Sequence, residues 1–267
     1  MKNAAGAPAW ASIYTISTKK VRALNLKTNS FCAGGGWIGN GTLVSVGGNP
    51  QQTYINDKAE DGLAAIRLFT PCDDDKCDVF ENPSRIRMTS PRWYPSSVRL
   101  TDGSLMIAGG MIQGGYNNMD ATDNPTVEFF PPRGDGLPIY SSFLHDALNS
   151  NLFPVMFTLP SGYVFIAANQ MAMLYDAKKN IERRLKPFPN GVTITCASLS
   201  PSLGSLRPSP ARSALSSQTD ASLNSYADPA SAASVLLPLT IANNYEPEVR
   251  HLSFSTLSLA PPLALSS

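Results

Sequence analysis

A hairpin turn recurs three times along the chain at nearly constant spacing. The turns contain Asn40-Gly41, Asp102-Gly103 and Ser161-Gly162, and their glycines are 62 and then 59 residues apart. Asn-Gly and Asp-Gly favour tight hairpins because both residues tolerate positive φ. Apolar strands and small residues follow each turn, and this period predicts an all-β chain forming part of a kelch-type β-propeller. An ordinary sandwich of hairpins would not need such regular spacing.

Composition limits the classes of partner. The 267 residues are 43% hydrophobic and 15% charged, with a net charge of +1. A core can therefore form, but there is no electrostatic basis for binding nucleic acid or an acidic membrane. No apolar run is long enough to span a bilayer, so we expect neither a nucleic-acid nor a membrane partner. The first eight residues also lack the apolar stretch of a signal peptide.

Two cysteines bracket a polar loop. Cys72 and Cys77 flank Asp73-Asp74-Asp75-Lys76, and a local disulfide is the favoured interpretation. A metal-binding pair is the alternative, but no histidine or second cysteine pair lies nearby in sequence. We interpret the acidic run as a solvated loop rather than a calcium site. The sequon Asn40-Gly41-Thr42 is interpreted as a hairpin turn, since glycosylation would require secretion.

A cysteine and a tyrosine hold matching places in two of the repeats. Cys32 and Tyr94 each lie nine residues before the glycine of the following turn. If these hairpins are neighbours in space, the two residues occupy equivalent positions on adjacent units. A thiol beside a phenol can be oxidised to a thioether-linked radical cofactor. Cys32 and Tyr94 are therefore the candidate catalytic and cofactor-binding residues.

The composition changes sharply after Val192. We predict a partial propeller over residues 1–192 and a low-complexity insert over 193–225, dominated by Ser, Ala, Pro and Leu. Apolar strand character returns in a residual propeller segment over 226–249, and 250–267 forms a divergent, irregular tail. A propeller with so few blades cannot close, so its end units are expected to expose apolar faces.

Several short motifs occur in a fixed order along the chain. They are Pro8-Ala9-Trp10-Ala11-Ser12, Asn29-Ser30-Phe31-Cys32-Ala33-Gly34-Gly35, Val46-Gly47-Gly48-Asn49, Arg92-Trp93-Tyr94, Asn124-Pro125-Thr126-Val127-Glu128, Asn151-Leu152-Phe153-Pro154 and Asn243-Asn244-Tyr245-Glu246-Pro247-Glu248-Val249. Together these motifs resemble the glyoxal oxidase family, the copper-radical oxidases related to galactose oxidase. The resemblance covers roughly Pro8 to Val192 and resumes over Tyr226 to Val249.

The resemblance implies a seven-bladed propeller followed by a smaller β domain, of which this chain has about three to four blades. It also implies copper held by two tyrosines and two histidines, with one tyrosine crosslinked to a cysteine. Cys32 matches that cysteine and Tyr94 matches that tyrosine, which makes Tyr94 a metal ligand. Family members oxidise simple aldehydes such as glyoxal and methylglyoxal to carboxylic acids and reduce O2 to H2O2. They are typically secreted, so the resemblance implies an extracellular location.

The chain departs from the family pattern at the other copper ligands. The family's second tyrosine and first histidine form a Tyr-His dipeptide, which this sequence lacks. Its only histidines are His145, expected to be a solvated loop residue, and His251, in the divergent tail. We therefore predict an inactive, truncated form that does not bind copper competently. The alternative is a non-catalytic kelch-like module that binds a partner protein.

Three aromatic residues near the hairpins receive ordinary interpretations. Trp37 and Trp93 stand beside small residues and could cover a radical site, but packing is the favoured role. Tyr116 is interpreted as a loop aromatic.

Overall fold

The computed structural model describes most of the chain up to residue 187 and three shorter segments beyond it. The described residues are 1–4, 6, 8–52, 59–74, 76–115, 118–148, 150–168, 171–187, 232–241, 245–253 and 263–264. The predicted insert over 193–225 and Tyr116 therefore lie outside the described residues.

The described part of the chain consists of short β-strands and one short helix. In chain order the elements are β1 (Ser12–Thr15), β2 (Lys20–Ala23), β3 (Gly34–Trp37), β4 (Leu43–Val46), β5 (Ile66–Phe69), β6 (Val79–Glu81), β7 (Ser96–Arg99), β8 (Leu105–Ala108), β9 (Thr126–Phe130), β10 (Ile139–Tyr140), α1 (Ser142–Asp146), β11 (Val155–Thr158), β12 (Val164–Ala168), β13 (Met171–Asp176), β14 (Ile181–Arg184), β15 (Ala232–Leu236), β16 (Glu248–Ser253) and β17 (Leu263–Ala264).

Three successive four-stranded sheets form the body of the fold. The first sheet runs β3-β4-β5-β6, the second β7-β8-β9-β10 and the third β11-β12-β13-β14, all as antiparallel meanders. The first strands of neighbouring sheets lie against one another, β3 against β7 and β7 against β11. This is the arrangement of consecutive propeller blades, and the predicted all-β, partial propeller-like fold is confirmed.

The repeated glycines close the turns predicted for them, but the turn type differs. Gly41, Gly103 and Gly162 have φ of 81°, 85° and 85°, whereas the residue before each glycine does not have a positive φ. In each turn the glycine N–H donates to the carbonyl three residues earlier, at 2.9–3.1 Å. A wider loop ending in one left-handed glycine therefore replaces the two-residue turn expected from Asn-Gly and Asp-Gly.

Apolar side chains fill the spaces between the sheets. Val44, Val46 and Ile66 of the first sheet pack against Leu105 and Ile107 of the second. The opposite face of the second sheet packs on the third, because successive residues of a strand point to opposite faces. All four residues of β8 and all five of β12 are accordingly buried, without the alternation of a half-exposed strand.

The outer face of the third sheet also has a covering layer. Residues 232–264 contribute the strands of a three-stranded sheet, β15-β16-β17. Its Val249, 1% exposed, and Leu236 belong to the cluster formed by Phe165, Ala167 and Leu174 of the third sheet. The third sheet therefore does not expose this face in the way expected for an end blade. Strand β16, Glu248–Ser253, crosses the boundary predicted between residues 249 and 250. The predicted domain boundaries remain predictions.

A disulfide closes the loop between β5 and β6. Cys72 and Cys77 are bonded, with a Cα–Cα distance of 5.6 Å. This loop leaves β5 at Phe69, which pairs with Leu43 immediately after the first hairpin turn. The disulfide loop and that turn therefore lie at the same end of the first sheet. Within the described ranges, no helix has the length and apolar character needed to cross a bilayer.

Candidate functional site

Cys32 and Tyr94 occupy equivalent places at the start of neighbouring sheets. Each lies two residues before the first strand of its sheet, and Phe153 lies two residues before the first strand of the third. All three have positive φ, at 61°, 60° and 47°. Residues other than glycine adopt this conformation rarely and at a cost of about 1–3 kcal/mol each, and such strain clusters at functional sites. We call this end of the sheets the cysteine end and the opposite end, with the three glycine turns, the turn end.

Backbone hydrogen bonds connect these three residues in series. The N–H of Tyr94 donates to the carbonyl of Cys32 at 3.1 Å, and the N–H of Phe153 donates to the carbonyl of Tyr94 at 2.8 Å. The predicted juxtaposition of Cys32 and Tyr94 is therefore present in the backbone. The first and second sheets are therefore hydrogen-bonded between Cys32 and Tyr94, and the second and third sheets between Tyr94 and Phe153.

The Tyr94 ring is held between two other aromatic rings. Its centroid lies 4.0 Å from that of Trp93 at an interplanar angle of 86°, and 4.5 Å from that of Phe153 at 77°. Both are edge-to-face contacts, which favour one orientation of the ring. Buried Trp93, Met111 and Leu152 form an apolar cluster against which Cys32, Leu63 and Tyr94 pack, partly buried. Trp93 therefore has the packing role expected for it, while Trp37 is 46% exposed at the end of β3.

A buried ion pair positions the segment that carries Tyr94. Arg92 is fully buried, and its Nη2 lies 2.8 Å from Oε1 of Glu128. Its Nη1 also donates to the carbonyls of Gly109 and Thr126, at 2.9 and 3.0 Å. Burial lowers the pKa of Arg92, and the negative charge of Glu128 opposes that shift. The arginine two residues before Tyr94 is thus fixed to the second and third strands of its own sheet.

The first sheet also contains a buried ion pair, but its arginine lies on a strand and not ahead of the first strand. Arg67 on β5 lies 3.5 Å from Glu81 on β6, and it donates to the carbonyls of Asn29 and Gly47. Burial lowers the pKa of Arg67 to about 10, and Glu81 opposes that shift. Glu81 also accepts from the backbone N–H groups of Lys27 and Thr28, ahead of Cys32.

The glutamates of the two sheets bind equivalent backbone positions. Glu128 accepts from the N–H groups of Thr89 and Ser90, which are 62 residues after Lys27 and Thr28. In both sheets a buried carboxylate therefore anchors the backbone four and five residues before the candidate site residue.

The described residues do not complete a copper site. Tyr94 offers a phenol oxygen, but no group of three or more His, Cys, Asp or Glu side chains in the described part of the chain is arranged to hold a metal ion. His145 lies on α1 rather than in a loop, exposed, with its ring 6.1 Å from that of Tyr140. One phenolate does not satisfy the tetragonal nitrogen and oxygen coordination that Cu(II) prefers.

Sequence reasoning quoted Phe153 and Arg92 only within motifs, without a role for either, and did not single out Arg67. Phe153 stands 59 residues after Tyr94, the same interval that separates the second and third turn glycines, so the repeat itself could have identified it. Arg67 and Arg92 carry no such signal, because a single arginine is ordinarily a surface residue. Their burial follows from carboxylates that other strands supply.

Comparison with known proteins gives matches along much of the chain. The family model described as the glyoxal oxidase N-terminus matches residues 2–208. The aldehyde oxidase GLOX of Vitis pseudoreticulata is 32% identical over 171 residues, which are 63% of this chain and 28% of that protein. The aldehyde oxidase GLOX1 of Arabidopsis thaliana is 29% identical over 193 residues, 70% of this chain and 27% of that protein.

The chain therefore spans just over a quarter of the length of these relatives. A solved structure of a fungal alcohol oxidase in complex with copper is 10% identical, covers 66% of this chain and 58% of its own, and has a TM-score of 0.29, too low to support an argument. The family match, in contrast, extends over most of the sequence and includes Cys32, Tyr94 and Phe153. The predicted resemblance is confirmed, and this chain belongs to the glyoxal oxidase N-terminal family.

Proposed function

We propose that this chain is the cysteine–tyrosine part of a copper-radical oxidase that acts on simple aldehydes such as glyoxal and methylglyoxal. The observation that carries the proposal is the pairing of Cys32 and Tyr94 at equivalent, left-handed positions joined by a 3.1 Å backbone hydrogen bond. Two relatives are named aldehyde oxidases, which supports the substrate class. In the overall reaction an aldehyde, water and O2 give a carboxylic acid and H2O2.

The proposed modification is a thioether between the Cys32 sulfur and a ring carbon of Tyr94. The carbon–sulfur bond replaces one S–H and one ring C–H bond, and O2 takes up the two hydrogens as H2O2. Copper held near the Tyr94 phenol oxygen and the Cys32 sulfur would promote this oxidation in air. Edge contacts from Trp93 and Phe153 keep the Tyr94 ring in one orientation, so the protein presents one ring edge consistently. Half-burial among apolar side chains would shield the modified ring from water.

We propose that the chain is inactive by itself. Its described residues supply Tyr94 and do not complete the copper coordination, so we assign it no step of copper-dependent turnover. Catalysis would require further ligands from the kelch-type, seven-bladed propeller that the family resemblance implies. The whole proteins that match this chain are more than three times its matched length, which leaves room for such ligands.

Copper and air are expected to join two tryptic peptides of this chain. Peptides 28–58 and 93–99, which contain Cys32 and Tyr94, should appear as one species that has lost two hydrogens. Mass spectrometry should follow full reduction, because a thioether resists reduction whereas any disulfide is cleaved. Cys32→Ser and Tyr94→Phe should both abolish the species. Separate, unmodified wild-type peptides would contradict the proposal and favour the non-catalytic module.

A peroxide-coupled assay with methylglyoxal and added copper is expected to show no turnover by this chain alone. The physical reason is the incomplete ligand set around Tyr94. A copper-free sample and a Tyr94→Phe sample give the background rate. Peroxide production that requires both copper and Tyr94 would contradict the inactivity.

A further inference from the structure

The tip of the first hairpin has the features of a glycosylation acceptor. Asn40-Gly41-Thr42 is the only Asn-X-Ser/Thr triplet in the sequence whose middle residue is not proline. Two other triplets, Asn82-Pro83-Ser84 and Asn124-Pro125-Thr126, have proline there and are excluded as acceptors. The chain therefore presents a single candidate asparagine.

The conformation of the turn leaves the side-chain amide nitrogen of Asn40 available for modification. Asn40 is exposed, and its Oδ1 accepts from the N–H of Thr42 at 3.0 Å, which sets the side chain across the turn. Its Nδ2 makes no hydrogen bond to the part of the chain that the structure describes. At Gly41 an added Cβ would meet no atom of the described residues within 4 Å, so the outside of the turn is open toward them. The open space beside Gly41 and the exposure of Asn40 favour a bulky group extending outward from Nδ2.

An independent feature of the same end points to the compartment in which asparagine is glycosylated. The Cys72–Cys77 disulfide closes the neighbouring loop, and disulfides persist in oxidising compartments such as the secretory route. That loop is connected to the turn, because the hydroxyls of Thr42 and Thr70 lie 3.0 Å apart. The oxidised loop and the open acceptor turn are therefore parts of one surface at the turn end.

We propose that Asn40 carries an N-linked oligosaccharide. In the transfer, Nδ2 attacks the anomeric carbon of a lipid-linked oligosaccharide pyrophosphate. The new carbon–nitrogen bond replaces the bond from that carbon to the pyrophosphate oxygen, the lipid pyrophosphate leaves and Nδ2 loses one proton. The membrane of the secretory compartment supplies this lipid-linked donor, and a host oligosaccharyltransferase catalyses the step during secretion.

The glycan would lie away from the candidate radical site. Cys32 precedes β3 and Asn40 follows it, and the four residues of this strand span about 13 Å at about 3.3 Å per residue. The sugar therefore covers the turn end of the first sheet and leaves the cysteine end accessible. The modification is independent of copper and of the Cys32–Tyr94 bond.

The test is expression of the full chain behind a cleavable secretion leader in yeast. Both the secreted protein and the endoplasmic reticulum fraction are treated with an endoglycosidase that leaves one N-acetylglucosamine, and peptide 28–58 is then measured by mass spectrometry. We expect that sugar on Asn40 in the wild type and in Thr42→Ser, which keeps the triplet.

Asn40→Asp is the matched control, because its carboxylate can still accept from the N–H of Thr42 while the acceptor amide is gone. This variant should fold and lack the sugar. Cys32→Ser should retain the sugar, which separates this proposal from the proposed thioether. Wild-type peptide that is unmodified, or only deamidated at Asn40, in both fractions would overturn the proposal.

Discussion

Replacing Arg92 with methionine is expected to lower the free energy of unfolding by about 3–5 kcal/mol, the cost of breaking a buried ion pair from one side. Methionine fills similar apolar volume but cannot donate hydrogen bonds. The carboxylate of Glu128 would lose its 2.8 Å partner, and the carbonyls of Gly109 and Thr126 would each lose one donor. Because folded domains are stable by only about 5–15 kcal/mol, this loss is a large share of the total. Urea denaturation at neutral pH provides the measurement.

Two further variants separate the ion pair from the general effect of removing an arginine. Arg85→Met changes an exposed arginine and should alter the free energy of unfolding by less than about 0.5 kcal/mol. Arg92→Met combined with Glu128→Gln should recover part of the loss, because the remaining buried group is then neutral. Glutamine also keeps an acceptor for the N–H of Thr89. Equal stability of Arg92→Met and Arg85→Met would refute the buried-pair account.

The sequence predicted the repeat but not all the residues that depend on it. Positive φ is available to glycine at little cost, so the glycines of the three turns indicated where each hairpin closes. The same interval placed Cys32 and Tyr94 at matching positions, and the backbone bond between them follows from that register. The predicted turn type was wrong because Asn40 and Asp102 do not have positive φ. In each of these turns only the glycine has the left-handed conformation.

The remaining features come from contacts between distant segments. Glu81 binds Thr28 across 53 residues of sequence, and Arg92 binds Glu128 across 36. No local pattern specifies that these charges are buried, since burial depends on which strands meet. The same reason explains why Val249 was not expected against the third sheet. Its contact is made between elements separated by the 193–225 segment.

Gly109→Ala is expected to lower the free energy of unfolding by about 2–4 kcal/mol, from backbone strain together with overpacking. Gly109 has φ of 70°, and an added Cβ would stand 2.4 Å from the carbonyl oxygen of Asn151 and 3.0 Å from Cδ of Pro154. Both neighbours belong to the segment that carries Phe153. A shift of that segment would also disturb the 2.8 Å bond from Phe153 to Tyr94. Thermal or urea unfolding measures the loss.

Gly162→Ala is the matched control for this substitution. Gly162 has a similar left-handed φ of 85°, but an added Cβ there meets no atom of the described part of the chain within 4 Å. Its cost should therefore be that of the backbone alone, about 1–2 kcal/mol. The difference between the two variants isolates the close approach of the second sheet to the segment before the third. If both variants lose the same stability, the close approach of Gly109 to Asn151 does not contribute to the stability of the contact between these sheets.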